Sequence, residues 1–170
     1  MKMCEYIDDF TDHLKDAIKI GNNTNIKPPE REIRNVLICG LGGSGIGGTI
    51  VNDIVSLKAS VPITATKGYS IPNFINQYTL VIACSYSGDT EETIIALEKC
   101  QNKGSEITVI TSGGKLKLIA EENNYNKIII PAGNPPRAMF GYAFTELFYL
   151  LNHYKVINDS FKSDFEKAIN

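Results

Sequence analysis

Short apolar runs alternate with amphipathic segments along most of this chain. The apolar runs indicate strands at 35–39, 62–66, 80–84, 106–110 and 127–130. Helical spacing of apolar residues predicts helices over about 6–20, 50–57, 90–103, 116–119 and 138–154. Strands that are apolar throughout are typical of a parallel sheet covered on both faces. We therefore expect an α/β fold, a three-layer, doubly wound domain with a five-stranded parallel sheet flanked by helices.

Composition excludes several classes of function. The chain has 170 residues, 43% of them hydrophobic and 21% charged, which fits one globular domain. A net charge of −2 gives no general attraction for nucleic acid or acidic membranes, and the apolar runs are too short to span a bilayer. The polar N-terminus does not look like a signal peptide. We expect a cytoplasmic protein with no nucleic-acid or membrane partner.

Cysteine and histidine give no sign of a metal site. None of the four cysteines has C-x-x-C spacing, and His13 and His153 lie far apart in the sequence. We expect reduced thiols and no bound metal.

The segment after the third apolar run carries the clearest chemical signal. It reads Cys84-Ser-Tyr-Ser-Gly-Asp-Thr and lies where a strand passes into a helix. Such a junction presents free backbone N–H groups and the positive end of a helix dipole. Three hydroxyl side chains and one glycine favour a binding site for a phosphate monoester, with donors at Ser85, Ser87 and Thr90.

Helix capping is the alternative explanation for this segment. Asp89 and Glu92 have capping-box spacing, and Ser87 could also cap the helix. Capping accounts for one or two of these residues, whereas phosphate binding accounts for the full set.

The segment after the first strand, 40–48, is predicted to be a glycine-rich loop that opens a helix. It contains G-x-G-x-x-G, so a dinucleotide site has to be considered. However, Lys67 occupies the end of the second strand, where an acidic residue would hold the ribose, and Asp53 comes too early. Nucleotide binding is therefore disfavoured and no cofactor is expected. The glycines would instead admit a small ligand beside the hydroxyl of Ser44.

The segment after the fifth strand contains Pro135-Pro136-Arg137 just before a helix. The prolines restrict the backbone and would hold Arg137 at the mouth of the same site. A fixed positive charge there would stabilise an oxyanion that develops in a reaction. An ordinary surface arginine is the alternative.

Together these three segments resemble the sugar isomerase (SIS) domain, and more specifically the N-terminal SIS domain of bifunctional phosphoglucose/phosphomannose isomerases. The matching motifs are Gly42-Gly-Ser-Gly, Ser85-Tyr-Ser-Gly-Asp-Thr-Glu-Glu and Pro136-Arg-Ala followed by Gly141-Tyr. The resemblance implies that glucose, fructose or mannose 6-phosphate is the ligand. It implies that Ser85, Ser87 and Thr90 bind the phosphate, that Gly42, Gly43 and Ser44 contact the sugar, and that Arg137 stabilises an enediolate.

The chain also departs from that family. Those isomerases have two SIS domains, and the second carries the glutamate base, a histidine and a lysine, none of which is matched here. We assign no catalytic role to Glu91, Glu92, Glu146 or His153.

We expect a lead-in at 1–29, an SIS domain at 30–155 and a polar tail at 156–170 that starts a linker to a second SIS domain. The apolar helix at 139–151 predicts a homodimer interface, although core packing could also explain it. A non-catalytic module that senses sugar phosphates remains the alternative function.

Overall fold

A computed structural model describes residues 3–169 of the chain. Twelve elements follow one another along these residues. The first six are α1 (Met3–Asp8), α2 (Phe10–Asn23), β1 (Asn35–Gly40), α3 (Gly42–Val55), β2 (Ile63–Thr66) and β3 (Thr79–Ser85). The others are α4 (Glu91–Gln101), β4 (Glu106–Thr111), α5 (Gly114–Glu122), β5 (Asn126–Ile129), α6 (Phe140–His153) and α7 (Phe161–Ile169).

The five strands form one parallel sheet in the order β2-β1-β3-β4-β5. The carboxyl ends of its three central strands are level, since Gly40 pairs with Cys84 and Ser85 pairs with Thr111. The winding direction reverses between β1 and β3. The α/β, doubly wound sheet expected from the sequence is therefore confirmed.

Alternate residues of each strand enter two separate hydrophobic cores, because successive side chains point to opposite faces of a sheet. On one face, Ile38 and Ile82 pack with residues of α2, α3, α6 and α7. On the other, Leu37 and Val81 pack with α4 and α5. Burial of both faces explains why the strands are apolar throughout, and it produces three layers.

The amino-terminal segment belongs to the first of these cores. It forms two helices separated at Asp9, rather than the single helix expected over residues 6–20. Leu14 and Ala17 of α2 are buried, and α2 packs against α6. The segment before residue 30 therefore contributes to the folded core.

The carboxyl-terminal segment, expected to be a polar tail that starts a linker, contains a helix. Residues 161–169 form α7, and Phe161 and Phe165 are buried among aromatic residues of α6. The spacing of these two phenylalanines, four residues apart, is the helical signal in this otherwise polar stretch. The linker stays a prediction.

The apolar helix α6 is mostly covered within the domain. Leu147, Leu150 and Leu151 are fully buried, and α2, α3 and α7 pack around the helix. Core packing therefore accounts for most of the apolar surface that motivated a homodimer, and the homodimer remains a prediction.

No helix within residues 3–169 is both long and apolar enough to cross a bilayer.

Candidate functional site

The candidate site lies at the carboxyl ends of β1 and β3, where the winding of the sheet reverses. Crevices at this position are the usual ligand sites of doubly wound sheets. Three segments meet there: the glycine segment (40–48), the serine loop (85–90) and the proline–arginine loop (131–139).

The serine loop contains a connected set of hydroxyl groups. The Oγ of Ser85 lies 2.8 Å from the Oγ1 of Thr90, and it accepts a hydrogen bond of 3.1 Å from the backbone N–H of Gly88. Ser85 is 1% exposed, whereas Ser87 is exposed and its Oγ accepts the N–H of Asp89 at 3.2 Å. Ser85 therefore stabilises the loop from its buried side, whereas the hydroxyl of Ser87 is exposed to solvent.

Thr90 occupies the N-cap position of α4 but makes no side-chain capping bond to that helix. Its hydroxyl instead joins Ser85. The first amides of α4 are thus left without a side-chain cap, and such amides attract anions. The capping box suggested by Asp89 and Glu92 is wrong for α4.

Asp89 caps a different helix. Its Oδ1 accepts the backbone N–H of Lys115 at 3.1 Å, in the first turn of α5. The carboxylate is therefore engaged at α5, which the sequence pattern did not indicate because the two residues lie 26 positions apart.

Gly88 allows the serine loop to lie against the start of α5. It has a φ of 77°, and a Cβ at this position would come within 1.8 Å of the carbonyl oxygen of Gly113. Its own carbonyl accepts the N–H of Leu116. Only glycine fits this conformation and this contact.

The glycine segment is helical rather than a loop. Helix α3 begins at Gly42, so the expectation of a loop extending to Gly48 is wrong. A Cβ at Gly45 would lie 2.6 Å from the carbonyl oxygen of Gly40, and one at Gly48 would lie 2.7 Å from Ile38. The glycines therefore let α3 pack closely on β1, and they bring Gly43 and half-buried Ser44 to the edge of the site.

The proline–arginine loop reaches back from the edge of the sheet to this same place. The carbonyl oxygen of Pro136 lies 3.7 Å from the position that a Cβ on Gly43 would take. Arg137 is exposed, and its guanidinium has no hydrogen bond or ion pair with the rest of residues 3–169. A free positive charge thus stands on the loop that contacts the first turn of α3.

Two tyrosines bind Asn134 of the proline–arginine loop, and the sequence predicted a role for neither. The Oη of Tyr86, inside the serine loop, accepts the backbone N–H of Asn134 at 3.1 Å. The Oη of Tyr6, in α1, donates to the Oδ1 of Asn134 at 3.0 Å. Tyr86 could have been noticed as a large side chain between two candidate serines, but Tyr6 lies 128 residues from its partner.

The acidic and histidine side chains that were not assigned a role lie in other settings. His153 contacts the backbone carbonyl of Lys27, which is next to the start of β5, at the amino ends of the strands and away from the candidate site. Glu91 accepts a long hydrogen bond of 3.4 Å from Tyr69. Glu146 is completely buried in α6, and burial raises the pKa of its carboxyl to about 8. Residues 3–169 contain no group of three or more metal-binding side chains.

Curated proteins of one name resemble this chain in sequence. The chain is 40% identical to a bifunctional phosphoglucose/phosphomannose isomerase of Caldicellulosiruptor bescii over 148 residues, which cover 87% of this chain and 44% of that protein. It is 37% identical to a protein of the same name from Thermoplasma volcanium over 134 residues, 79% of this chain and 40% of that one. The chain belongs to the sugar isomerase (SIS) family.

A solved structure supports the SIS fold. A Clostridium difficile 630 protein assigned as a phosphosugar isomerase superposes with a TM-score of 0.80 at 16% identity, covering 99% of this chain and 51% of that one. No family model matches the chain. The chain spans less than half the length of the curated SIS relatives described above.

Proposed function

We propose that this SIS domain binds a hexose 6-phosphate between β1 and β3 and forms part of a phosphoglucose/phosphomannose isomerase. The observation that carries the proposal is the paired hydroxyls of Ser85 and Thr90, 2.8 Å apart at the start of α4, whose first turn has no side-chain cap. Relatives that bear the name of that isomerase support the choice of reaction.

The phosphate would lie on the serine loop. Ser87 and Thr90 would donate their hydroxyl protons to phosphate oxygens, and the first amides of α4 would add backbone donors. Ser85 would act through Thr90, since its hydroxyl can donate to the Oγ1 of Thr90 and so leave the Thr90 proton for the phosphate, while its Oγ keeps the bond from Gly88 that shapes the loop. The carboxylate of Asp89 is bound to the N–H of Lys115 at α5 and so is not one of the groups that would meet the phosphate.

The sugar would extend from the serine loop towards α3 and Arg137. Gly42 and Gly43 let the backbone come close to the sugar, and Ser44 offers a hydroxyl. At the other end of the ligand, the free guanidinium of Arg137 would meet the oxygens on C1 and C2. The closeness of the two segments supports this arrangement, since the carbonyl oxygen of Pro136 lies 3.7 Å from the Cβ position of Gly43.

The reaction supported by this layout is proton transfer between neighbouring carbons. A base removes the proton from C2 of the open-chain aldose, leaving an enediolate; the hydroxyl proton of O2 moves to O1, and return of the first proton to C1 gives the ketose. The negative charge of the enediolate is what Arg137 would stabilise. No cofactor takes part in this scheme.

The base is not evident among the described residues at the site. Isomerisation needs a general acid/base within reach of the substrate, yet the carboxylates of the adjoining loops contact other groups, Asp89 the start of α5 and Glu91 the hydroxyl of Tyr69. We propose that a second SIS domain with a different sequence supplies the base, either elsewhere in the polypeptide or from a separate polypeptide.

Binding by calorimetry tests the proposal. Fructose 6-phosphate should bind the chain, whereas fructose should not, and NAD should not compete. Ser87→Ala should weaken binding by about 10- to 150-fold, since a hydrogen bond to a charged group contributes about 1.5–3 kcal/mol. Ser56→Ala, an exposed serine at the far end of α3, is the matched control and should bind like the wild type.

Equal affinity of Ser87→Ala and wild type would contradict the proposed phosphate site. Competition by NAD would favour the nucleotide alternative. The position of Lys67 argues against that alternative, because its Cγ lies 3.2 Å from the Cβ position of Gly45 in the first turns of α3. A purely sensory module would bind the sugar phosphate but would show no turnover with any second SIS domain.

A further inference from the structure

The two halves of the candidate site are joined by one side chain. The serine loop and the proline–arginine loop follow β3 and β5, which are separated in the sheet by β4. Tyr86 belongs to the serine loop, and its Oη accepts the backbone N–H of Asn134 in the proline–arginine loop at 3.1 Å. This hydrogen bond crosses directly between the two loops.

Tyr86 is itself firmly held. Its backbone carbonyl accepts two hydrogen bonds from Ser112 after β4, one from the N–H at 3.0 Å and one from the Oγ at 2.6 Å. Its half-buried ring packs against the larger hydrophobic core. The phenol therefore offers Asn134 a fixed hydrogen-bond acceptor.

Asn134 is restrained from its other side by Tyr6. The Oη of Tyr6 donates to the Oδ1 of Asn134 at 3.0 Å, so both the backbone and the side chain of this residue are bound. Gly133, immediately before it, has a φ of 89°, which marks a turn. The loop is therefore anchored at a single residue just after it turns.

Rigid backbone connects that anchor to Arg137. Pro135 and Pro136 follow Asn134, and the carbonyl of Pro135 accepts the N–H of Ala138 in a tight turn. Since proline fixes φ, few torsions can change between Asn134 and Arg137. The side chain of Arg137 has no partner among residues 3–169, so its position depends on the backbone, which is held at Asn134 on one side and by buried Ala138 and Met139 on the other.

We propose that Tyr86 is a positioning residue that holds Arg137 over the sugar end of the ligand through its hydrogen bond to Asn134, with Tyr6 as the second support. This inference rests on the proposed function. Tyr86 does not touch the substrate in this account; it acts only through the proline–arginine loop.

The test compares Tyr86→Phe with the wild type, because this change removes one oxygen and leaves the packed ring. Fructose 6-phosphate should bind about fivefold more weakly, the effect of one neutral hydrogen bond, while inorganic phosphate should bind as before. Amide hydrogen exchange at Asn134 should become faster. Tyr125→Phe, beside the start of β5 at the amino ends of the strands and away from the candidate site, is the matched control and should change none of these.

A double-mutant cycle separates positioning from a general structural role. In an Arg137→Ala background, Tyr86→Phe should no longer affect fructose 6-phosphate binding, because the group that it positions is absent. Tyr6→Phe should give the same pattern with a smaller effect, and it replaces Tyr86→Phe if that variant does not fold.

These measurements distinguish failure of this inference from failure of the proposed function. If the wild type binds no fructose 6-phosphate, the proposed function fails and this inference with it. If the wild type binds and Tyr86→Phe binds equally well, only the inference is overturned. Equal weakening for hexose phosphate and inorganic phosphate, or an effect that persists without Arg137, would also overturn it.

Discussion

Glu146 should make the stability of this domain depend strongly on pH. The residue is fully buried in α6, and neither carboxyl oxygen has a hydrogen-bond partner among residues 3–169. Because burial penalises the charged form, the pKa of this carboxyl rises from 4.5 to about 8. Between these two pH values, the folded chain keeps a proton that the unfolded chain has released. Raising the pH through this window therefore favours unfolding.

The size of the effect follows from the shift. Each pKa unit corresponds to about 1.4 kcal/mol, so stability at pH 7 should be lower than at pH 4.5 by about 3 kcal/mol from this residue alone. Glu146→Gln keeps a neutral group of the same shape and removes the titration. The variant should match the wild type near pH 4.5 and exceed it increasingly up to about pH 8.

Urea unfolding of both proteins at several pH values between 4.5 and 8.5 measures this difference. Glu98→Gln, an exposed position in α4, is the control, and its difference from the wild type should change little over the same range. Parallel stability curves for Glu146→Gln and the wild type would refute the reasoning, because they would show that the buried carboxyl does not carry the proton.

Three further predictions concern the loops of the site. Gly88→Ala should lower the free energy of unfolding by at least about 3 kcal/mol, since Gly88 has a positive φ and a Cβ there would lie 1.8 Å from a carbonyl oxygen. Gly42→Ala, with a φ of 58° and nothing within 4 Å, should lower it by only about 1 kcal/mol, and equal losses in thermal unfolding would argue against the contact at Gly88. Ser85→Ala should reduce both the free energy of unfolding, by about 1–3 kcal/mol, and the affinity for fructose 6-phosphate, whereas Ser87→Ala should reduce the affinity alone. A larger loss of stability for Ser87→Ala than for Ser85→Ala in denaturant unfolding, with calorimetry on both variants, would be inconsistent with the burial of Ser85. Asp89→Ala should destabilise the domain by about 1 kcal/mol, because the cap on α5 is lost. Amide hydrogen exchange at Lys115 should become faster, and unchanged exchange there would contradict the capping role of Asp89.

The fold could be predicted from the sequence because the information is local. Each strand is a short apolar run, and alternate residues such as Leu37 and Ile38 enter opposite cores. The errors arose where a local pattern had two meanings. Glycines between 42 and 48 suggested a loop, but they serve close helix–strand packing, which depends on Ile38 and Gly40 of the neighbouring strand. Two buried phenylalanines were too few to reveal α7 within a polar stretch.

The sequence predicted the segments that meet at the candidate site, but not the hydrogen bonds that join them. The hydroxyl residues of the serine loop are contiguous, so their shared position at the end of a strand is readable from the sequence. The bonds from Tyr86 and Tyr6 to Asn134, and from Lys115 to Asp89, join residues that are 26 to 128 positions apart. Such contacts depend on the order of strands in the sheet, which one sequence does not specify.

Proton NMR of fructose 6-phosphate mixed with the purified chain measures both binding and turnover. We expect line broadening of the ligand signals that Ser87→Ala reduces, and no growth of glucose or mannose 6-phosphate signals from this chain alone. Absence of broadening would contradict the phosphate site on the serine loop. Growth of aldose signals would show that a catalytic base lies within this chain or its oligomer, contrary to the account of a base supplied by a second SIS domain.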